Sequence, residues 1–327
     1  MNRYTIKDAY IKTISWLGDR IVDWASAGTA YSLDGNTEQL NTYHFGFNFD
    51  AAITSPDGAY AFIYKRLGTK GLLLKNGEIV REINRSYYMA DVYEYPAAFA
   101  IINNRTYLIH CPEKYRQLDF EDAETGEVIT RSNSREPHDI FHSRLEVSSD
   151  NKYLLSKGWA WHPWDIVRLF DINACITNPV LLDDGHSISG NYTELNSASF
   201  IDNERILLGA SSEESLDDDV ASPVPPSHIA IWNISNGTVS DAVAPQEVPG
   251  NFIAIDQHYC WNLYQYPKIV DIRSGEVVDK MEEIKTGLQT SAIIHHVKEA
   301  DLPLIAYNRA LKKLAVHNND RIEVLWM

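Results

Sequence analysis

A short turn that contains glycine recurs along the chain, and the stretches on each side of it are apolar and strand-like. The turns are LDGN at Leu33, KNGE at Lys75, ETGE at Glu124, ISNGT at Ile234 and RSGE at Arg273. Glycine in such a turn supplies the positive φ that a tight hairpin requires. Between Gly126 and Gly237, the stretch DINAC predicts one more turn, with Ala174 in place of glycine. The turns therefore predict a repeat of about 40 to 50 residues.

A second set of turns precedes the first, as in TSPDGAY at Thr54 and SSDNKY at Ser148, while helical periodicity is almost absent. Each unit thus reads strand, turn, strand, variable loop, strand, glycine turn, strand. The units begin near residues 10, 50, 97, 143, 196, 250 and 302. Four strands in a repeat of this length are typical of a propeller blade. We predict an all-β fold, a seven-bladed β-propeller of four-stranded antiparallel blades.

The third strands of several units end alike, in RLFDINA at 168–174, IAIWNISNG at 229–237 and KIVDIRSG at 268–275. This ending resembles the WD-repeat β-propeller pattern, in which an apolar strand is followed by an Asp and a Ser/Thr-Gly turn. The resemblance covers most of the chain. Because the Trp-Asp pair itself is missing from that place, and no Gly-His pair opens the units, the resemblance extends to the superfamily and to no particular family.

The last unit has three strands, and NRYTIKD near the start of the chain is one strand left over. Propellers commonly close by letting the N-terminal strand complete the last blade, which removes an open sheet edge. We predict that residues 3–7 pair with residues 321–326 and that residues 1–327 form a single propeller domain. The stretch SSEESLDDDVASPVPPS, residues 211–227, has the composition of a flexible acidic loop inserted in the fifth unit.

The chain is acidic, with a formal net charge of −16. Nucleic acids and anionic membranes bind basic surfaces, so we expect neither as a partner. Its apolar runs are too short to span a bilayer, and the start of the chain has no apolar secretory signal. The three cysteines, Cys111, Cys175 and Cys260, are far apart and odd in number. They predict free thiols in a reducing compartment, and hence a cytoplasmic protein.

The loops of the units fall into two classes. In WD-like propellers the short turns within the hairpins lie on one face, and the second-to-third loops and blade connections lie on the other. Here the second class is long, varied and aromatic, so we expect binding on that face. The residues that we expect to contact a partner or ligand there are His162, Trp164, Tyr87, Tyr88, Tyr93, His138, His142 and His186.

The stretch WAWHPWD, residues 159–165, is the densest aromatic motif. The spacing of Trp159 and Trp161 puts both rings on one face of a strand, where packing between blades is the favoured role. Pro163 ends that strand, which predicts that His162 and Trp164 lie in a loop.

Two histidines, His138 and His142, have a spacing that suits metal binding on a helix. A third ligand is not evident, although His186, His295 and His296 are available to a suitable fold. We therefore expect no metal, and no other cofactor.

Common catalytic motifs are missing, including GxSxG, the phosphate-binding loop and HExxH. The preferred hypothesis is a non-catalytic scaffold that binds a protein or peptide with its aromatic loops. The alternative is a hydrolase or lyase with its site in the channel, acting on a sugar or lactone, possibly metal-assisted. Such enzymes use scattered acidic residues, of which Asp50 and Glu146 are examples. A structural subunit of a larger assembly is a third hypothesis.

Overall fold

The computed structural model describes residues 1–7, 10–217, 219–298 and 302–327. Twelve strands lie in the first part of the chain: β1 Asn2–Lys7, β2 Ser15–Leu17, β3 Arg20–Asp23, β4 Thr29–Tyr31, β5 Thr37–Gln39, β6 Ala51–Thr54, β7 Tyr60–Tyr64, β8 Lys70–Lys75, β9 Glu78–Asn84, β10 Ala98–Ile102, β11 Arg105–His110 and β12 Asp119–Asp122. Eleven follow: β13 Ile140–Phe141, β14 Glu146–Val147, β15 Tyr153–Ala160, β16 Trp164–Asp171, β17 Leu195–Phe200, β18 Arg205–Ala210, β19 Ile229–Asn233, β20 Phe252–Ala254, β21 Tyr259–Asn262, β22 Lys268–Asp271 and β23 Val277–Lys280. The last three are β24 Ile305–Asn308, β25 Lys313–Asn318 and β26 Arg321–Trp326.

The strands form seven antiparallel sheets, and these are the blades of the predicted β-propeller. Most blades have four strands. Helix is confined, in the described ranges, to the short α-helix α1, Ile172–Thr177, and the 3-10 helix Pro179–Leu182. No helix among the described residues is long and apolar enough to cross a membrane. The predicted fold class is therefore confirmed.

The chain forms two compact units. The first comprises Met1–Tyr115, Asp119–Ile129 and Pro303–Met327. It contains the sheets β2-β3-β4-β5, β6-β7-β8-β9, β10-β11-β12 and β1-β26-β25-β24. An isolated bridge between Glu121 and Val128 continues the three-stranded sheet. Apolar side chains from adjoining sheets form its core, as where Phe62 and Leu73 pack with Phe99 and Leu108.

The second unit comprises Arg116–Leu118 and Thr130–Leu302. It contains the sheet of β13 to β16 and the sheets β17-β18-β19 and β20-β21-β22-β23. Its core includes Leu155, Val167 and Leu169, which pack against Phe200 and Leu208 of the neighbouring sheet. Because sheet faces are used for packing, the loops are the part of each unit left free to bind.

The N-terminal strand completes the last blade, as predicted. β1 pairs antiparallel with β26, with Asn2 opposite Trp326 and Lys7 opposite Arg321. Arg3 donates hydrogen bonds of 2.8 and 2.7 Å to the carboxylate of Glu323, and the Thr5 hydroxyl donates another of 2.7 Å. Side-chain hydrogen bonds therefore join β1 to β26 in addition to the backbone pairing.

The glycine turns also take the predicted conformation. The five glycines have φ between +71° and +89°, and they are Gly35, Gly77, Gly126, Gly237 and Gly275. The prediction for Ala174 is wrong, because this residue lies in α1 rather than in a hairpin turn. Asp171 explains the difference: its side chain accepts a hydrogen bond of 2.9 Å from the Ala174 N–H, which caps and starts a helix.

The first strand of the fourth blade is interrupted. Both β13 and β14 pair with β15, and residues 142–145 leave the ladder between them. Gly158 allows β15 to approach this irregular stretch closely, because a Cβ at that position would lie 2.1 Å from the carbonyl oxygen of Phe141. Arg144 takes the left-handed conformation, with φ of +44°, where the chain re-enters the sheet.

Candidate functional site

WAWHPWD forms the tip of the β15–β16 hairpin in the second unit. Ala160 pairs with Trp164, so residues 161–163 make the turn, and His162 at the tip has φ of +84°. The prediction that Trp164 lies in a loop is therefore wrong, since it is the first residue of β16 and is half-buried. The structure agrees with the predicted exposed position of His162.

The two tryptophans predicted to pack together have different environments. Trp159 is 2% exposed and stacks on Phe141, with ring centroids 3.9 Å apart. Trp161 is 40% exposed, which corrects the expectation that it is a core residue. Its ring meets Phe141 and Trp159 edge to face at 5.5 and 5.4 Å. Trp161 lies in the turn of the hairpin, and the rings of Phe141 and Trp159 support it from one side.

A buried carboxyl pair lies next to this hairpin tip. Asp165 accepts a hydrogen bond of 2.9 Å from the Ala292 N–H. Glu194 accepts one of 3.2 Å from the Asp165 N–H and one of 2.9 Å from the Ser211 hydroxyl. Burial raises the pKa of both carboxyl groups, and the negative charge of Asp165 raises that of Glu194 further. Two nearby acids with raised pKa values are typical of a functional site.

Amide side chains connect the carboxyl pair to distant loops of the second unit. Arg144 donates a hydrogen bond of 2.6 Å to the Asn251 side chain, which donates one of 2.9 Å to Gln289. Asn196 donates one of 2.7 Å to the carbonyl oxygen of Thr290. The segment 289–292 is therefore held by β15–β16, by β17 and by the start of β20.

The acidic insertion contacts the same region. The Leu216 N–H donates to the carbonyl oxygen of Tyr192 at 2.8 Å, and the Tyr192 N–H donates to Ser222 at 2.7 Å. The Thr193 hydroxyl donates to the carbonyl oxygen of Val224 at 2.5 Å. Leu216 is nonetheless 69% exposed. The exposed apolar side chains here belong to Tyr192, Leu216 and Val220, and the exposed acidic ones in the same loop to Glu213, Glu214 and Asp219. That the loop is flexible stays a prediction.

The three other histidines predicted for the site do not come together as ligands. His138 is exposed and its Nδ1 lies 3.1 Å from Asp184, and His186 is exposed and forms a backbone bridge with Leu169. His142 is fully buried, with Nδ1 3.0 Å from the hydroxyl of Ser156. Within the described ranges, no group of three or more His, Cys, Asp or Glu side chains could hold a metal ion.

The predicted tyrosines lie in the first unit and differ in exposure. Tyr87 is 86% exposed, and Tyr88 is exposed beside Tyr115 at 5.0 Å between ring centroids. Tyr93 is fully buried, so in this structure it offers no surface to a partner. The guanidinium of Arg85 lies over the Tyr93 ring at 4.4 Å and donates to the carbonyl oxygens of Ala90 and Tyr93. Tyr93 therefore shapes the loop that carries Tyr87 and Tyr88.

Two acidic residues considered for a channel enzyme are paired with lysines. Lys65 donates to the Asp50 carboxylate at 2.5 Å, and Lys157 donates to Glu146 at 2.9 Å. The buried pair Asp165 and Glu194, whose pKa values are raised, was not identified from the sequence. Asp165 ends the motif WAWHPWD, but nothing in the order of residues along the chain links it to Glu194.

Comparison with known proteins confirms the fold and leaves the activity open. No protein-family model matches the chain, and no curated protein does. Among solved structures 984 chains match, and a fold so widely used does not specify an activity. One of them, described as "Crystal Structure of Mitotic Checkpoint Complex", aligns with a TM-score of 0.61 and 10% identity, over 99% of this chain and 90% of that chain. The protein has the fold of a seven-bladed β-propeller, as the recurring turns predicted.

Proposed function

We propose that this protein is a binding scaffold whose second unit recognises a basic, partly apolar segment of another protein. One observation carries the proposal: hydrogen bonds tie the hairpin tip, residues 191–194 and the acidic insertion into one surface. That surface exposes Trp161, Tyr192 and Leu216 beside the acidic residues of the insertion. We call it the tip surface.

The chemistry of the tip surface suits such a partner. Large apolar side chains on a rigid support are the usual anchors of protein interfaces. Exposed tryptophan and tyrosine faces attract lysine and arginine, and nearby acidic side chains strengthen and steer that attraction. The mitotic checkpoint structure contains a chain of this fold within a complex, which supports a protein partner. The three buried free cysteines support a cytoplasmic location.

The tip surface can be tested with three synthetic peptides of equal length, followed by fluorescence anisotropy. One combines lysine and leucine, the second replaces lysine by glutamate, and the third replaces leucine by serine. We expect the first peptide to bind most tightly. Its affinity should fall with added salt, because exposed charges are screened. Leu216→Ser should weaken it about tenfold, as expected for an anchor residue.

The matched control is Val278→Ser, which changes another exposed apolar side chain, on β23 of the same unit. Equal loss of affinity in Leu216→Ser and Val278→Ser would show general attraction to an acidic protein and would contradict the proposal.

The enzyme hypothesis retains one observation in its favour. The buried Asp165–Glu194 pair has raised pKa values and, unlike Asp50 and Glu146, has no lysine bound to it among the described residues. A general acid requires a carboxyl group of this kind. Screening neutral glycosides and lactones for hydrolysis, with Glu194→Gln as the inactive variant, tests this second candidate.

A further inference from the structure

Two buried polar atoms near the carboxyl pair have no hydrogen-bond partner in the part of the chain that the structure describes. They are the indole N–H of Trp159 and the amide oxygen Oδ1 of Asn196. Both side chains are 2% exposed. One atom is a donor and the other an acceptor, and burial of either without a partner is unfavourable.

Trp159 is the cross-strand neighbour of Asp165, and Asn196 contacts the same segment as Asp165. Trp159 and Asp165 are directly opposite in the β15–β16 ladder, which places them on one sheet face with Cβ atoms about 5 Å apart. Asn196 binds the carbonyl oxygen of Thr290, and Asp165 binds the N–H of Ala292. The residues contacted, Thr290 and Ala292, are two positions apart in the chain, which is about 7 Å in an extended segment.

The position of Trp159 sets it apart from other buried tryptophans. Trp232 and Trp261 in the same unit also have an indole N–H without an acceptor among the described residues. Trp232, however, packs in an apolar cluster, and Trp261 lies on β21 of another sheet. Trp159 alone of the three is the cross-strand partner of a buried acid.

The carboxyl groups of Asp165 and Glu194 are further polar groups in this region. Arg144 is the cation that faces Asp165, and its attraction only partly offsets the effect of burial, so the pKa of Asp165 stays raised. Glu213 adds negative charge near Glu194. A carboxyl group that keeps its proton can donate as well as accept a hydrogen bond.

We propose that Trp159, Asp165, Glu194 and Asn196 form a binding site for a small neutral polyhydroxyl molecule of the monosaccharide class. A hydroxyl group can accept from the indole and donate to the amide oxygen, whereas a carboxylate group has no proton to donate and an ammonium group has no lone pair with which to accept. Two carboxyl groups and a free acceptor disfavour an anion, and a cation leaves the indole N–H without an acceptor. Trp161, exposed at the hairpin tip, offers a flat apolar ring to the C–H face of a sugar.

The test is an NMR titration of the indole N–H resonances of the full-length protein with glucose, galactose and myo-inositol, and with glucuronate and glucosamine as charged counterparts. We expect a neutral compound to shift the Trp159 resonance saturably, with the charged counterparts weaker. Trp159→Phe, which keeps an aromatic ring and removes the N–H, should weaken binding by calorimetry about tenfold or more. Trp261→Phe, the matched control, should leave it unchanged.

Asn196→Leu supplies a second variant with the same number of side-chain heavy atoms and no amide, and it should also weaken binding. No saturable shift of the Trp159 resonance with any neutral compound overturns the proposal, even if Trp159→Phe fails to fold. Tighter binding of glucosamine or glucuronate overturns it too. Leu216→Ser should not affect sugar binding, so this site and the tip surface can fail separately.

Discussion

His142 lies in the interior of the second unit, with its ring packed edge to face against Phe170 at 6.0 Å. Burial, together with the positive charges of Arg168 and Arg135, lowers the pKa of this histidine to about 3. The side chain is thus neutral in the native protein at neutral pH, where it binds Ser156. Its spacing from His138 in the sequence has no consequence for metal binding.

The pH dependence of stability tests this account. The native state has the lower pKa, about 3 against 6.5, so the unfolded chain binds a proton first as pH falls. The contribution of neutral His142 is therefore complete above pH 6.5 and is lost on acidification, by at most about 1.4 kcal/mol per pH unit. Urea unfolding of His142→Gln should show a flatter decline between pH 6.5 and 4 than the wild type. His138→Gln, which alters an exposed histidine, should show the wild-type slope; an equal flattening in both variants would contradict the assignment.

At the scale of an element, the loop between β9 and β10 is organised by one buried side chain. Arg85 donates to the carbonyl oxygens of Gly68, Ala90 and Tyr93, with the Tyr93 and Tyr95 rings on its guanidinium. Burial lowers the pKa of Arg85, although the group remains charged. A sequence rich in tyrosine therefore becomes a structured loop, in which some rings are anchors and others are exposed.

Replacing this arginine should loosen the loop. In Arg85→Met the buried carbonyl oxygens lose their donors, and we expect destabilisation by about 2–4 kcal/mol and faster amide exchange across residues 86–95. Hydrogen exchange followed by mass spectrometry measures this directly. The control is Arg105→Met, because the Arg105 side chain is 64% exposed and its contact with Asp122 is long, at 3.4 Å. Similar exchange in the two variants would show that Arg85 does not organise the loop.

At the scale of the whole molecule, the two ends of the chain share one sheet. Burial alone would raise the pKa of Glu323, but hydrogen bonds from Arg3 and Thr5 outweigh it and lower that pKa. The stabilising contribution of this carboxylate is therefore present at neutral pH and is lost as pH falls through the acidic range. Without β1, strand β26 would become an open edge and Glu323 would lose both partners.

Deleting residues 1–7 should reduce stability by more than about 3 kcal/mol, because it removes a strand and exposes a sheet edge. Thermal unfolding and light scattering measure the loss and the expected aggregation. The double variant Arg3→Ala/Thr5→Ala keeps the backbone of β1 and should lose less. An unchanged melting temperature after the deletion would mean that β1 does not complete the blade in solution.

The order of residues determined the repeating part of this protein. Strand alternation and the glycine turns act over a few residues, so they can be identified without the rest of the fold, and the pairing of β1 with β26 followed from counting strands. The helix after Asp171 escaped prediction because a side-chain cap replaced the expected hairpin.

Only the tertiary structure decided which residues can act together. The spacing of Trp159 and Trp161 predicts a shared strand face, but β15 ends at Ala160 and Trp161 lies in the turn, so one ring is buried and the other exposed. Tyr93 and Tyr87 also differ, because Tyr93 is buried beside the guanidinium of Arg85 whereas Tyr87 is exposed. Asp165 and Asn196 contact the segment 290–292, and Glu194 binds the N–H of Asp165, through contacts between residues far apart in the chain. Such contacts depend on how whole sheets pack, so local sequence patterns contain no information about them.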